Sequence, residues 1–222
     1  MLYVCSLLTL AALLALFLNG SFAKEAACFH LLFAPFSMDF YTAVLHISLD
    51  NGEYQKFSPL RPYVVDFLNH HVNPSSVTLT PLWELLCQTH VVSAWNSVIS
   101  VLWWSSNTHV CWSTFMMVLF SQAAQLSHRN AHTPASRKHW LCRCLENTGF
   151  FLGTKFHQQH HKTYSSNFST LNGWATPLIL VLQEFFPVAS VFWLVVFGAC
   201  TVTLALWMSL PGWASVLLLS WW

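Results

Sequence analysis

Hydrophobic and polar residues fall in long blocks along this chain. They do not follow the short period of a strand or of a water-facing helix. Leu2 to Leu18 is a nearly unbroken apolar run, and Ala26 to Leu49 is a second, after Asn19-Gly20 and the pair Lys24-Glu25. Both are long enough to cross a hydrocarbon core, which takes about 20 residues. Residues 50–80 are polar and contain Pro59, Pro62 and Pro74. Pro81 to Trp104 reads as a third span, Ser105-Ser106-Asn107-Thr108 as a tight turn, and His109 to about Gln125 as a short fourth. Residues 128–177 are polar again. Leu178 to Met208 supplies one more crossing, with a kink expected at Pro187, and Pro211 leads into a short apolar tail. The first run reads as a retained anchor, since no Lys or Arg precedes it as in a signal peptide.

The pattern predicts an all-α fold, a multi-pass membrane helical bundle of about four to six transmembrane helices. It forms one domain over 1–222. Helical hairpins cover 1–49 and 81–126, cytosolic His-rich segments cover 50–80 and 128–177, and a C-terminal membrane segment covers 178–222.

Composition agrees. Hydrophobic residues are 55% of the chain and charged residues 8%, against about 25% charged in an ordinary soluble domain. The net charge of +1 gives no electrostatic basis for nucleic-acid binding. Two hairpins would put both polar segments on one side. Lys56, Arg61, Arg129, Arg137, Lys138, Arg143, Lys155 and Lys162 all lie in those segments, and only Lys24 lies opposite. That is the bias expected of a cytosolic face. The seven cysteines are scattered and read as reduced and structural.

Twelve histidines in so apolar a chain call for a reason. Eight gather near helix ends on the face that carries the polar segments. His46 and Asp50 are spaced i, i+4, as are His128 and His132, so each pair stacks on one helix face. His70-His71 precedes the third span. His157, His160 and His161 form H-x-x-H-H, three rings on one helical patch that would repel if protonated; a bound cation gives neutral rings a reason to be together. Each piece alone has a bland alternative, such as interfacial or solvated histidine. Imidazole suits Fe, Zn, Cu and Ni, so the ligand type does not name the metal. Eight histidines exceed what one zinc takes, and two metals fit better. His90 lies within a span and His139 follows Arg137-Lys138; neither is expected to be a ligand.

The same segments resemble the lipid desaturase family, which contains plasmanylethanolamine desaturase and the plant plastid desaturase of phosphatidylglycerol palmitate. Asp39, His46 and Asp50 resemble its D…H-W-x-x-D, with Ile47 in place of Trp. His70 to Thr78 is similar to its H-H-x-x-P-x-x-I-T, His128 to His132 to its H-x-x-x-H, Leu145 to Gly149 to its L-Q-D-x-G, and His157 to His161 to its H-x-x-H-H. The likeness runs over roughly 37–178. It implies that His46, His70, His71, His128, His132, His157, His160 and His161 are iron ligands, with Asp50 as a ligand or its supporting acceptor. It further implies a membrane-bound di-iron oxidoreductase of lipid and fatty acid metabolism that uses O₂ to desaturate an acyl or alkyl chain. The electron donor would be cytochrome b5 or ferredoxin. The endoplasmic reticulum is favoured over a plastid membrane. A lipid hydroxylase would share this ligand chemistry. A non-enzymatic divalent-metal transporter would instead place acidic and histidine residues mid-membrane, where only Asp39 and His90 qualify.

Overall fold

The computed structural model describes residues 1–204; the end of the last expected crossing and the tail after Pro211 lie outside them. Helices α1 (Leu2–Asn19), α2 (Lys24–Leu49), α3 (Arg61–Val72), α4 (Ser76–Leu79), α5 (Leu82–Gln88), α6 (His90–Trp104), α7 (Thr108–His132), α8 (Trp140–Asn147), α9 (Thr154–Thr163) and α10 (Thr176–Phe185) are followed by α11 (Val191–Leu204). Among the described residues there are no strands, and all seven cysteines are free thiols.

Two compact units can be described separately. One comprises residues 1–37, 86–122 and 199–204, the other 38–85 and 123–198. Helices α2, α5, α7 and α11 contribute residues to both.

In the first unit, α1 packs against α6 while its outward Leu7, Leu14 and Phe17 stay exposed, the pattern of a helix bathed in lipid. It stops at Gly20, where a Cβ would stand 2.4 Å from the Leu16 carbonyl oxygen and 3.1 Å from Cys111 Sγ. Helices α1 and α2 are each long and apolar enough to cross a membrane. The third expected span is a broken one, α5 and α6 meeting at 48°. The break has a chemical cause. Thr89 Oγ1 donates to the Leu86 carbonyl (2.9 Å), and Gln122 Nε2 reaches Leu86 O (3.3 Å), Thr89 Oγ1 (2.6 Å) and His90 Nε2 (3.0 Å). His90 Nδ1 in turn meets Ser6 Oγ at 2.8 Å. A neutral, hydrogen-bonded His90 is thus built into the helix break. Counting the bent pair as one span, three crossings meet the length and apolarity required. Helix α7 is long enough, but Ser121, Gln122, Gln125 and Ser127 dilute its apolarity. The stretch from Leu178 on divides at Pro187 into the shorter helices α10 and α11.

In the second unit, Leu49, Tyr54 and Val64 form a core with Leu45, Leu60, Phe67 and Leu68 packed on it. This core fixes α3 against the end of α2, so His70 and His71 are held facing His46 and Asp50.

Candidate metal centre

The nine nominated residues come from four helices of the second unit and meet in one place. Helix α3 ends with His70 and His71, α7 ends with His128 and His132, α9 carries His157, His160 and His161, and α2 supplies His46 and then Asp50 just past its end. His46, His70, His71, His128, His157 and His160 are buried, whereas His132 and His161 are half-buried.

The cluster divides in two. The ligand atoms of His70, His128, His132, His157 and His161 all lie within 4.8 Å of one another, and so do those of Asp50, His71 and His160. Both His-His dipeptides straddle the division. Consecutive helical residues point about 100° apart, since there are 3.6 per turn, so His70 faces the first group and His71 the second. His161 and His160 divide likewise. The stacked i, i+4 pairs His128/His132 and His157/His161 stay together in the first group. His46 belongs to neither set, but its ring centroid lies 5.6 Å from that of His128 and 5.5 Å from that of His160.

Polar satisfaction shows what the cluster lacks. Buried atoms without a hydrogen-bond partner include His46 Nε2, both nitrogens of His70 and His71, His128 Nε2, His157 Nδ1, His160 Nε2, His161 Nδ1 and both Asp50 oxygens. Buried polar groups almost always find partners, so a concentration of orphans at one spot calls for a missing one. The separations agree with a cation. His157 Nε2 lies 2.9 Å from His132 Nε2 and 3.2 Å from His161 Nε2. Two nitrogens each about 2.1 Å from a shared ion would stand about 2.9–3.4 Å apart. Asp50 Oδ1 and Oδ2 lie 3.0 Å from His71 Nε2 and 3.2 Å from His160 Nε2. Those contacts are close enough for an ion pair but are not aligned as hydrogen bonds, so the lone pairs converge on a common point. The donor set of imidazoles with one carboxylate fits a first-row transition metal.

Outer contacts fix the rings. His46 Nδ1 meets Thr42 O at 3.2 Å and His160 Nδ1 meets Ser166 O at 2.9 Å, leaving Nε2 of each ring toward the cluster. Burial first, and the neighbouring imidazoles second, push His70 down to about 2 and His161 to about 3, and His157 well below its ordinary value. These rings are therefore neutral, with lone pairs available. Burial acts to raise the Asp50 carboxyl, but the adjacent His160 and His71 more than offset it and hold the group below the usual carboxylate range.

Three residues outside the nominated set organise the cluster. Asp39, fully buried, accepts four backbone N–H bonds. Leu171, Asn172 and Gly173 reach Oδ1 at 3.2, 3.0 and 3.2 Å, and Ala175 reaches Oδ2 at 2.9 Å. Gly173 has φ of +83° there, a conformation that favours glycine. Glu146 accepts from Asn130 Nδ2 (3.0 Å), from Thr154 N and Oγ1 (both 3.0 Å) and from Lys138. It thereby ties the His128/His132 end of α7 to the start of α9. Ser127 accepts from Leu152 N (2.8 Å) and donates to Leu171 O (2.6 Å). A lone carboxylate in an apolar run and the Leu145–Gly149 motif were the sequence signals for the first two; Ser127 had none.

Among the basic residues, Arg129 donates to the carbonyls of Thr80 (2.6 Å) and Thr78 (2.8 Å), clamping the α4 end. Lys155 and Lys162 are exposed. His139 caps α8, accepting from Leu141 N at 3.3 Å, and takes no part in the cluster.

No curated protein and no solved structure matches the chain. The family model described as the lipid desaturase domain matches residues 35–203, a stretch that includes all nine residues of the cluster. The chain therefore belongs to the lipid desaturase domain family.

Proposed function

We propose that this chain is a multi-pass membrane desaturase that introduces a double bond into a lipid acyl or alkyl chain. The substrate is a plasmanyl ether lipid or a glycerolipid palmitoyl chain. The reading rests on one observation above all, the two sets of convergent, buried and unpartnered ligand atoms in a chain of the lipid desaturase family.

Two iron ions would be held by His70, His128, His132, His157 and His161 on one side and by Asp50, His71 and His160 on the other, with His46 adjoining both. When bound, they would supply the oxidising power to remove hydrogen from an unactivated C–H, which side chains alone lack. The balance is one O₂, two electrons and two protons consumed with two hydrogens of a –CH₂–CH₂– unit, giving –CH=CH– and two waters.

The protein's own part is to bind and orient. Neutral rings keep nitrogen lone pairs available, and the ionised Asp50 adds one negative charge. Thr42 O and Ser166 O set the rotation of His46 and His160. Asp39 and Glu146 hold the segments that carry the rings.

Helices α1, α2 and the α5–α6 pair serve as crossings, with α7 and the α10–α11 stretch as further ones. The ligand face lies at the cytosolic interface of the endoplasmic reticulum membrane, where an electron carrier such as cytochrome b5 docks. Metal analysis of purified protein tests the reading. Close to two irons per chain are expected, with nitrogen-rich ligation by X-ray absorption. His160→Ala and His161→Ala each lower the iron while leaving membrane insertion intact. Full iron in both variants would refute the assignment.

A further inference from the structure

The two ligand groups differ in their access to water. A pocket of about 590 Å³ opens beside the first group, lined by His132 and His161 together with Thr133, Ala135, Gln158 and Lys162. Its lining is largely apolar, with Pro74, Ala131 and Pro134 among it, but the half-buried His132 and His161 and the exposed Gln158 and Lys162 open it to solvent. The second group is more enclosed among the described residues. The side chains of His71, Asp50 and His160 are 1%, 4% and 0% exposed. Tyr164 stacks on His71 with ring centroids 4.6 Å apart, and Phe168 packs on His160 at 4.9 Å. Tyr164 sits at the end of α9 with φ of 54°, where its N–H bonds back to His160 O. The turn after α9 thus covers the second group.

We infer that the pocket is the route by which the five-histidine group exchanges its metal with solvent, and that Tyr164 and the turn it begins form a cover over the Asp50–His71–His160 group. That group exchanges only when the cover opens. The inference rests on reading both groups as metal sites. It predicts an order opposite to ligand counting, by which five imidazoles would hold an ion longer than three ligands.

The test uses the full-length chain in lipid nanodiscs, loaded anaerobically with ferrous iron and mixed with excess water-soluble, coloured ferrous chelator. Iron should leave in two phases of one equivalent each. The fast phase should accelerate with chelator concentration. The slow phase should be roughly tenfold or more slower and independent of chelator, because local opening limits it. Ala135→Trp at the pocket rim should slow the fast phase alone, and Tyr164→Ala should speed the slow phase alone. His160→Ala should keep only the fast phase, which assigns the phases to the groups. Release of both ions in one phase would overturn the inference while leaving the two-iron reading standing. Acceleration of the fast phase by Tyr164→Ala, or loss of the fast phase in His160→Ala, would overturn it as well. A loaded protein with no iron would overturn both.

Discussion

Replacing Asp39 with Ala removes an acceptor that four backbone N–H groups share, at a fully buried position. Those donors lie in residues 171–175, where the nest, the positive φ of Gly173 and the start of α10 leave little room for other partners. Buried backbone N–H groups left without their acceptor cost about 1–3 kcal/mol each in desolvation. The four bonds act as a unit and do not sum, so a loss of about 3–5 kcal/mol is the sensible expectation. At about 2–4 °C per kcal/mol for a chain of this size, a loss of 3 kcal/mol lowers the melting temperature by about 6–12 °C. Asp39→Asn keeps one carbonyl oxygen for part of the nest and should fall between wild type and Asp39→Ala. Thermal unfolding of the three proteins in the same detergent measures this, with iron content read alongside. The loop that Asp39 holds includes Phe168–Leu171, which lies against His160 and Ser127, so iron in the second group should loosen first. An unchanged melting temperature in Asp39→Ala would refute the nest. Full stability with a lost transport activity would instead favour Asp39 as a residue of an ion path.

Three further outcomes follow from the same geometry. Glu146→Ala should lose iron from the five-histidine group, because it unties α9 from α7, whereas Glu146→Gln retains an acceptor for Thr154 N and should recover part of it; metal analysis of both variants decides. Folded-state values of about 2 for His70 and about 3 for His161, with His157 also well below its ordinary 6.5, mean that the unfolded metal-free chain binds more protons than the folded one between about pH 3 and 6.5. Their contribution to stability is complete above about pH 6.5 and is lost as the pH falls toward 3; a melting temperature of the metal-free protein that rose on acidification through this window would contradict it. His90→Gln and His139→Gln should keep their iron, while His46→Gln and His132→Gln should lose it, and equal loss in all four would mean that the cluster had been misplaced.

Much of this was legible in the chain because it depends on local spacing. The i, i+4 pairs fix which rings share a helix face, but His160, expected on one patch with His157 and His161, joins the other group. The apolar blocks and Pro187 place most of the helices but not the break at Thr89. What spacing withholds is the pairing of faces from different helices. Nothing in His70-His71 or His160-His161 says that adjacent rings serve different groups; that follows only once α3, α9 and the end of α2 are packed. Asp39 finds its partners more than 130 residues away, and no local pattern encodes such a contact. The fourth expected crossing illustrates the opposite limit: α7 is a long helix as expected, yet its polar residues make its apolarity marginal, and length and sequence alone do not make it a span. Arg129, which the sequence marks only as one basic residue of a polar segment, is committed to the Thr78 and Thr80 carbonyls.

The central claim is that this chain desaturates a lipid. The most direct measurement is mass spectrometry of lipids after the iron-loaded protein, in nanodiscs holding an alkyl ether lipid or a palmitoyl glycerolipid, receives O₂ and an electron donor. The account predicts a product two hydrogens lighter than its substrate, formed by wild type and absent with His161→Ala. A product one oxygen heavier would make the enzyme a hydroxylase, and no product from a protein holding two irons would contradict the account.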